Sequence, residues 1–154
     1  MANTERFRYG HQVIIEVPKQ ASAVIEKGDF ICLVAGEAVN ALGVGAAANK
    51  AAAREAAADA FLGIAQNASA AADTDPILVD ISPWSVYEFD LAAAAAVSIG
   101  DLLEIYAGDS YATDQTMVAG STSQVAVCVK DKGASGTKVL AIMKPQIILG
   151  AAQT

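Results

Sequence analysis

The 154-residue sequence predicts an all-β (mainly β) protein, a small β-barrel or sandwich of two similar β-units with one short Ala-rich helix inserted. Three observations carry that expectation. Valine and isoleucine total 26 against nine leucines, and β-branched side chains, stiff at χ1, pack best on a pleated surface. Nine short apolar runs are bounded by Gly, Pro, Asp or Ser, the punctuation of many short strands joined by tight turns. Finally, one pattern of residues recurs in the second half of the chain.

Taken in order, residues 1–10 show no core pattern and read as an arm. Strands are expected at 11–17, 23–26 and 30–35. Residues 46–60 (AAANKAAAREAAADA) consist almost wholly of the best helix former, with Lys50, Arg54, Glu55 and Asp59 as the charged positions, and predict a short helix whose apolar face is only alanine. Further strands are expected at 61–66, 77–81 and 85–91. In the last of these Tyr87 and Phe89 point to one side while Glu88 and Asp90 point to the other. The alanine run 92–96 reads as a strand extension or loop. Strands at 102–106, 124–130 and 137–143 complete the reading.

The repetition is specific. Lys27-Gly28-Asp29-Phe30 with Ala35-Gly36-Glu37 matches Ile99-Gly100-Asp101-Leu102 with Ala107-Gly108-Asp109, without gaps. Residues 77–81 followed by Ser82-Pro83 match 139–143 followed by Lys144-Pro145, and between these anchors 61–66 corresponds to 124–130. The first copy (27–83) is longer than the second (99–145) by roughly the alanine helix, which implies two similar β-units around one core. The expected division is an N-terminal arm and first strand at 1–22, one β-barrel-like domain at 23–149, and a tail at 150–154.

Of the hydrophobic 54%, 34 residues are alanine, so the larger apolar residues are no more than a soluble core of this size requires. No run is long and apolar enough for a membrane-spanning helix. The start of the chain is polar and aromatic and does not read as a signal peptide, from which cytoplasmic synthesis is expected. The net charge of −7 has the wrong sign for a nucleic-acid binder. From Glu55 to Val129 there are eleven acids and no Lys or Arg, while all ten basic residues lie in the flanks. Two readings are open: the acids solvate loops, or ends and middle face different neighbours, as in an assembly protein. Cys32 and Cys128 each sit inside an apolar run and read as buried free thiols.

The motifs of catalysis are missing from the sequence. The single histidine, His11, has no nucleophile elbow to serve. No P-loop, dinucleotide fingerprint, zinc spacing or H-E-x-x-H occurs. Glu88 with Asp90, and Asp73 with Asp75, are carboxylate pairs, but only 6% of residues are aromatic and could line a sugar-binding groove. No enzyme activity, cofactor or metal is expected.

Phe61-Leu62-Gly63-Ile64-Ala65 after an alanine-rich stretch, then Val86-Tyr87-Glu88-Phe89-Asp90, then Gly100-Asp101-Leu102 resemble the order found in head-decoration (capsid cement) proteins of tailed bacteriophages. The resemblance spans about residues 23–148. It departs after Gly63, where many relatives carry a basic or aromatic residue, and in the number of alanines after the Phe-Asp strand. It implies a β-barrel-like protein that binds the outside of an expanded capsid, often as a homotrimer, and stiffens it against internal DNA pressure. The implied partners are the major capsid protein and further copies of the chain, on the virion exterior after assembly in the host cytoplasm. Such a protein gains avidity from many modest contacts. Arg6 and Arg8 are expected to pair with acids on the capsid or a neighbouring subunit, with Phe7 and Tyr9 supplying buried area. Gln146, Ile147 and Ile148 are expected to add as a strand to a neighbour. The alternatives are a non-catalytic surface- or carbohydrate-binding module of a phage tail or fibre, marked by exposed aromatic rings, and an enzyme subunit whose site a partner completes.

Overall fold

The computed structural model describes residues 7–131 and 136–145. They form eleven strands: β1 (Phe7–Gly10), β2 (Ile14–Val17), β3 (Phe30–Val34), β4 (Glu37–Asn40), β5 (Phe61–Ala65), β6 (Ile77–Asp80), β7 (Ser85–Leu91), β8 (Leu102–Ala107), β9 (Ala112–Ala119), β10 (Gln124–Cys128) and β11 (Lys138–Met143). One helix, α1 (Lys50–Ala60), and a 3-10 turn (Ala41–Val44) lie between β4 and β5. Among the described residues no helix is long and apolar enough to cross a membrane.

The strands form two sheets, β2-β6-β5-β3-β4 and β1-β7-β11-β10-β8-β9. The second sheet closes on itself, because β7 also pairs in parallel with β9 through Asp90↔Thr116 and Leu91↔Met117. The first closes through a single parallel bridge, Lys19↔Ala38. The described residues thus form two small five-stranded barrels, with β1 as an extra strand on the second.

The two barrels repeat one pairing scheme. β2, β3, β4, β5 and β6 take the places of β7, β8, β9, β10 and β11, and the registers agree. Ile15 pairs with Val79 as Tyr87 pairs with Ala141. Phe30↔Ile64, Ile31↔Gly63 and Cys32↔Phe61 correspond to Leu102↔Val127, Leu103↔Ala126 and Glu104↔Gln124, and both ladders slip at the same point. The Gly-Asp turns coincide as well. Gly28 and Gly100 adopt φ of 94° and 91°, conformations that favour glycine. Their N–H groups donate to the Ala65 and Cys128 carbonyls, each at 2.9 Å. The Asp29 and Asp101 carboxylates accept from the N–H groups of Glu26 and Ser98, each at 2.8 Å. The residues matched in sequence are therefore the ones the scheme superimposes, and α1 is the excess in the first unit.

The cores follow the same map, with one departure from the expectation of a single shared core. Val17, Ile25, Ile31, Ala38, Leu62, Ala65, Ile77 and Val79 form a separate cluster inside the first barrel. Their counterparts, Phe89, Val97, Leu103, Met117, Val125, Cys128, Val139 and Ala141, are all buried in the second, where the cluster runs on into the contact between barrels. Larger Phe89 and Met117 are balanced by smaller Val125 and Ala141, as close packing requires. Across the contact, the Phe30 ring lies 5.7 Å from Phe89, and within its own barrel 6.3 Å from Phe61.

Some elements differ from the sequence reading. Residues 23–26 are not a strand; Ile25 makes one bridge to Ser69. β1, β4 and β9 are strands that the sequence reading leaves out, whereas residues 92–96 form a loop, one of the two readings open for them. The helix begins at Lys50 instead of residue 46, because the Asn49 side chain caps it by accepting from Ala52 N–H at 3.0 Å. Its Ala53, Ala57 and Ala58 are buried, allowing close approach to the sheet. Lys19, at the seam of the first barrel, stands where Leu91 stands in the second. It is buried, and its ammonium donates to the Ala23 and Ala70 carbonyls at 2.8 and 2.9 Å.

Candidate interaction surface

The segment joining β1 to β2 crosses from one barrel to the other, and a buried polar network holds it there. Asp80, at the end of β6, is fully buried. One carboxylate oxygen accepts from the N–H groups of Val13 (3.1 Å) and Ser82 (3.0 Å). The other accepts from the Ser85 hydroxyl and the Tyr87 phenol, each at 2.7 Å. Burying a carboxylate is costly unless donors replace its hydration, and four do so here. Gln66 and Gln12 donate in turn to the Tyr87 oxygen at 2.8 and 3.2 Å. Burial, then the neighbouring Asp80, pushes the Tyr87 phenol up. The network pins β6, β7 and the crossing segment together, and its carboxylate is closed to solvent.

Outside this pin lie exposed apolar side chains: Tyr9 (55% exposed), Val13 (50%), Ile14 (48%) and Trp84 (71%). Their backbones are close neighbours. Gly10 pairs with Ser85, and a Cβ on Gly10 would stand 2.1 Å from the Trp84 carbonyl oxygen. Val13 O accepts from Ile81 N–H at 2.9 Å. Two strand edges border this surface: the outer edge of β1 and the N-terminal half of β2, whose described partner is β6 alone.

Of the expected contact residues, Arg6, Gln146, Ile147 and Ile148 lie outside the described residues. Phe7, Arg8 and Tyr9 are found in β1, an ordered edge strand on the chain's own second barrel. Phe7 packs edge-on against Tyr87, with centroids 5.7 Å apart. Arg8 pairs at 3.0 Å with Glu88, which Lys138 also approaches at 3.4 Å. Burial raises the Glu88 carboxyl, but the two cations outweigh it and hold it below the ordinary glutamate range. Within β1, Tyr9 and Arg8 are both exposed, Arg8 while paired with Glu88. Trp84, Val13 and Ile14 were not singled out from sequence; the Ser82-Pro83-Trp84 turn between two strands was the available signal.

A concave region of about 400 Å³ lies where the barrels meet and is lined by Glu26, Asp29, Leu42, Asp114 and Gln115 among others. Gln115 donates to Asp29 at 2.6 Å and Leu42 N–H to Asp114 at 2.8 Å, so the lining itself bridges the barrels. Burial, followed by the nearby Asp29 and Glu26 charges, pushes the Asp114 carboxyl up to about 6 against the Leu42 hydrogen bond. Among the described residues no group of three or more His, Cys, Asp or Glu side chains is arranged to hold a metal ion. Cys32 and Cys128 are buried free thiols, as expected. No protein-family model matches this chain, and no curated protein sequence matches it.

Proposed function

We propose that this protein is a structural virion component that binds the outer surface of a phage capsid and stabilises the expanded head through repeated protein–protein contacts. The observation that carries this reading is the exposure of Tyr9, Val13, Ile14 and Trp84 on neighbouring backbone segments that the Asp80 network holds together. Large exposed aromatic and aliphatic side chains on a fixed backbone are the material of interface anchors. The resemblance of 61–65, 86–90 and 100–102 to capsid cement proteins supports the same reading, as does the segregation of acidic and basic residues along the chain. Avidity from a homo-oligomer, a trimer by that resemblance, would multiply such contacts.

The test is electron microscopy of expanded phage heads mixed with the full chain. Added density on the capsid exterior is expected, and the Trp84→Ala variant should bind about tenfold more weakly with an unchanged melting temperature. Heads that stay bare at saturating protein would overturn the reading. The exposure of Trp84, Tyr9 and Tyr111 (49%) also favours the second reading, a carbohydrate-binding module. Saturable binding on a glycan array, abolished by Trp84→Ala, would select it instead.

A further inference from the structure

The barrels meet through two kinds of surface. One is apolar, where Phe30 faces Phe89 and α1 packs on β8 and β9. The other is the groove of about 400 Å³, where the joint is polar and unfilled. Its lining presents three carboxylates and no basic residue: Glu26 and Asp29 from the first barrel, Asp114 from the second. Two hydrogen bonds cross the groove, and both end on a carboxylate. Gln115 of β9 donates to Asp29 at 2.6 Å, and the Leu42 N–H of the 3-10 turn donates to Asp114 at 2.8 Å. Each barrel thus reaches over the groove to hold the other's acid.

The arrangement sets attraction against repulsion. The two donors favour ionised acids, whereas like charges facing each other across a partly buried joint push the barrels apart. Asp29 and Glu26 act on Asp114 from the first barrel. Lys27, beside Glu26 in sequence, is not part of the lining. The 3-10 turn carries no titratable side chain, and β3 brings Cys32, a thiol that burial keeps neutral. On β8, Glu104 pairs at 3.4 Å with Arg54 of α1, which also lies over the Tyr106 ring. The other charges of α1, Lys50, Glu55 and Asp59, are exposed. On β7, Glu88 is held by Arg8 and Lys138, and Asp90 stands opposite Thr116.

We propose that the groove is a proton-operated latch: with one proton on the facing acids the barrels stay closed along it, and loss of that proton lets them part there. The protonated acid gains an O–H that donates to a facing carboxylate, which turns a repulsion into an attraction. The upward shifts of Asp114 and Asp29, caused first by burial, agree with a proton held in this place. The apolar contact and the Asp80 network hold the remainder of the joint, so parting is a local opening and not unfolding. The latch involves neither Trp84 nor a capsid, and its failure leaves the proposed function as it was.

Hydrogen exchange at the Leu42 amide tests the latch, because that N–H makes one of the two crossing bonds. Its protection, taken relative to an unstructured amide at each pH, is expected to be at least about tenfold higher at about pH 5 than at about pH 7.5. The Gln66 and Val129 amides, bonded to the Leu78 and Leu140 carbonyls inside the separate barrels, should keep their protection. A bond without a latch would behave oppositely, since ionised Asp114 is the stronger acceptor and would protect Leu42 better at the higher pH. That result, or protection that does not change, overturns the inference. So does a loss in step with Gln66 and Val129, which would be unfolding of whole barrels. Asp114→Asn, which keeps an acceptor for Leu42, should abolish the difference. Glu26→Gln, which touches neither crossing bond, should shrink it. A difference undiminished in either variant defeats the latch as well.

Discussion

The Tyr87 hydroxyl donates to the Asp80 carboxylate at 2.7 Å, joining the last strand of one barrel to the first strand of the other inside a network closed to solvent. Tyr87→Phe removes that donor and takes one acceptor from the Gln66 and Gln12 amides, which keep the Ile64 carbonyl and the Gln66 side-chain oxygen. A loss of about 1–3 kcal/mol in urea unfolding is expected. Asp80→Asn keeps the shape but cannot accept all four donors, and should cost at least as much. In the double variant the two losses should fall short of additive, because both act on one network. Full additivity would show that Asp80 and Tyr87 act separately.

Asp114 predicts an unusual dependence on pH. Its folded-state carboxyl titrates at about 6, above its unfolded value, so the folded protein binds the proton more tightly. Its contribution to stability is therefore present at acidic pH and lost as pH rises through about 6. Asp29, raised chiefly by burial, acts in the same sense, whereas Glu88, held low, acts in the opposite one. Melting temperatures measured from about pH 5 to 7 should fall less steeply in Asp114→Asn, whose side-chain oxygen can still accept from Leu42. A slope identical to the parent's would exclude Asp114 as its source.

Gly10→Ala should dislodge β1. Gly10 has φ of 113°, and the added Cβ would collide with the Trp84 carbonyl. A destabilisation of about 2 kcal/mol or more is expected, with faster tryptic cleavage at Arg8. Deleting residues 1–10 should likewise lower the melting temperature, because residues 7–10 are an integral strand.

Both thiols should be silent in the native state. Burial pushes Cys32 and Cys128 up from the ordinary thiol range, and their sulfur atoms lie 3.4 and 3.1 Å from the Ala57 and Lys130 carbonyl oxygens. A thiol reagent at neutral pH should label neither until denaturant is added. Prompt labelling of either cysteine would contradict the burial.

Much of this architecture is legible in the residues. β-branched runs announce β2, β3, β5–β8, β10 and β11, and Gly28-Asp29 with Gly100-Asp101 mark the repeated turn that opens each sequence copy just before β3 and β8. What stays hidden depends on neighbours. β4 is four residues after a tight turn in which Ala35 and Gly36 both take positive φ (51° and 85°), so its sequence, Glu-Ala-Val-Asn, carries almost no signal of its own. β9 is polar through Thr113–Thr116 because it lines the groove between barrels, and its strand character comes from pairing with β8 and β7. The interaction surface is hidden for the same reason. Which half of β2 is left open depends on where β1 and β4 go, and no local pattern around Val13 encodes that.

The connection after the third strand of each barrel accommodates a whole helix in one case and the four residues Gly120–Ser123 in the other, with the ladders on either side unchanged in register. The shorter connection is therefore a natural graft point. A foreign peptide spliced there would be carried by the barrel without disturbing it, provided that Glu104 keeps the Thr122 and Ser123 amides that anchor the downstream side of the splice.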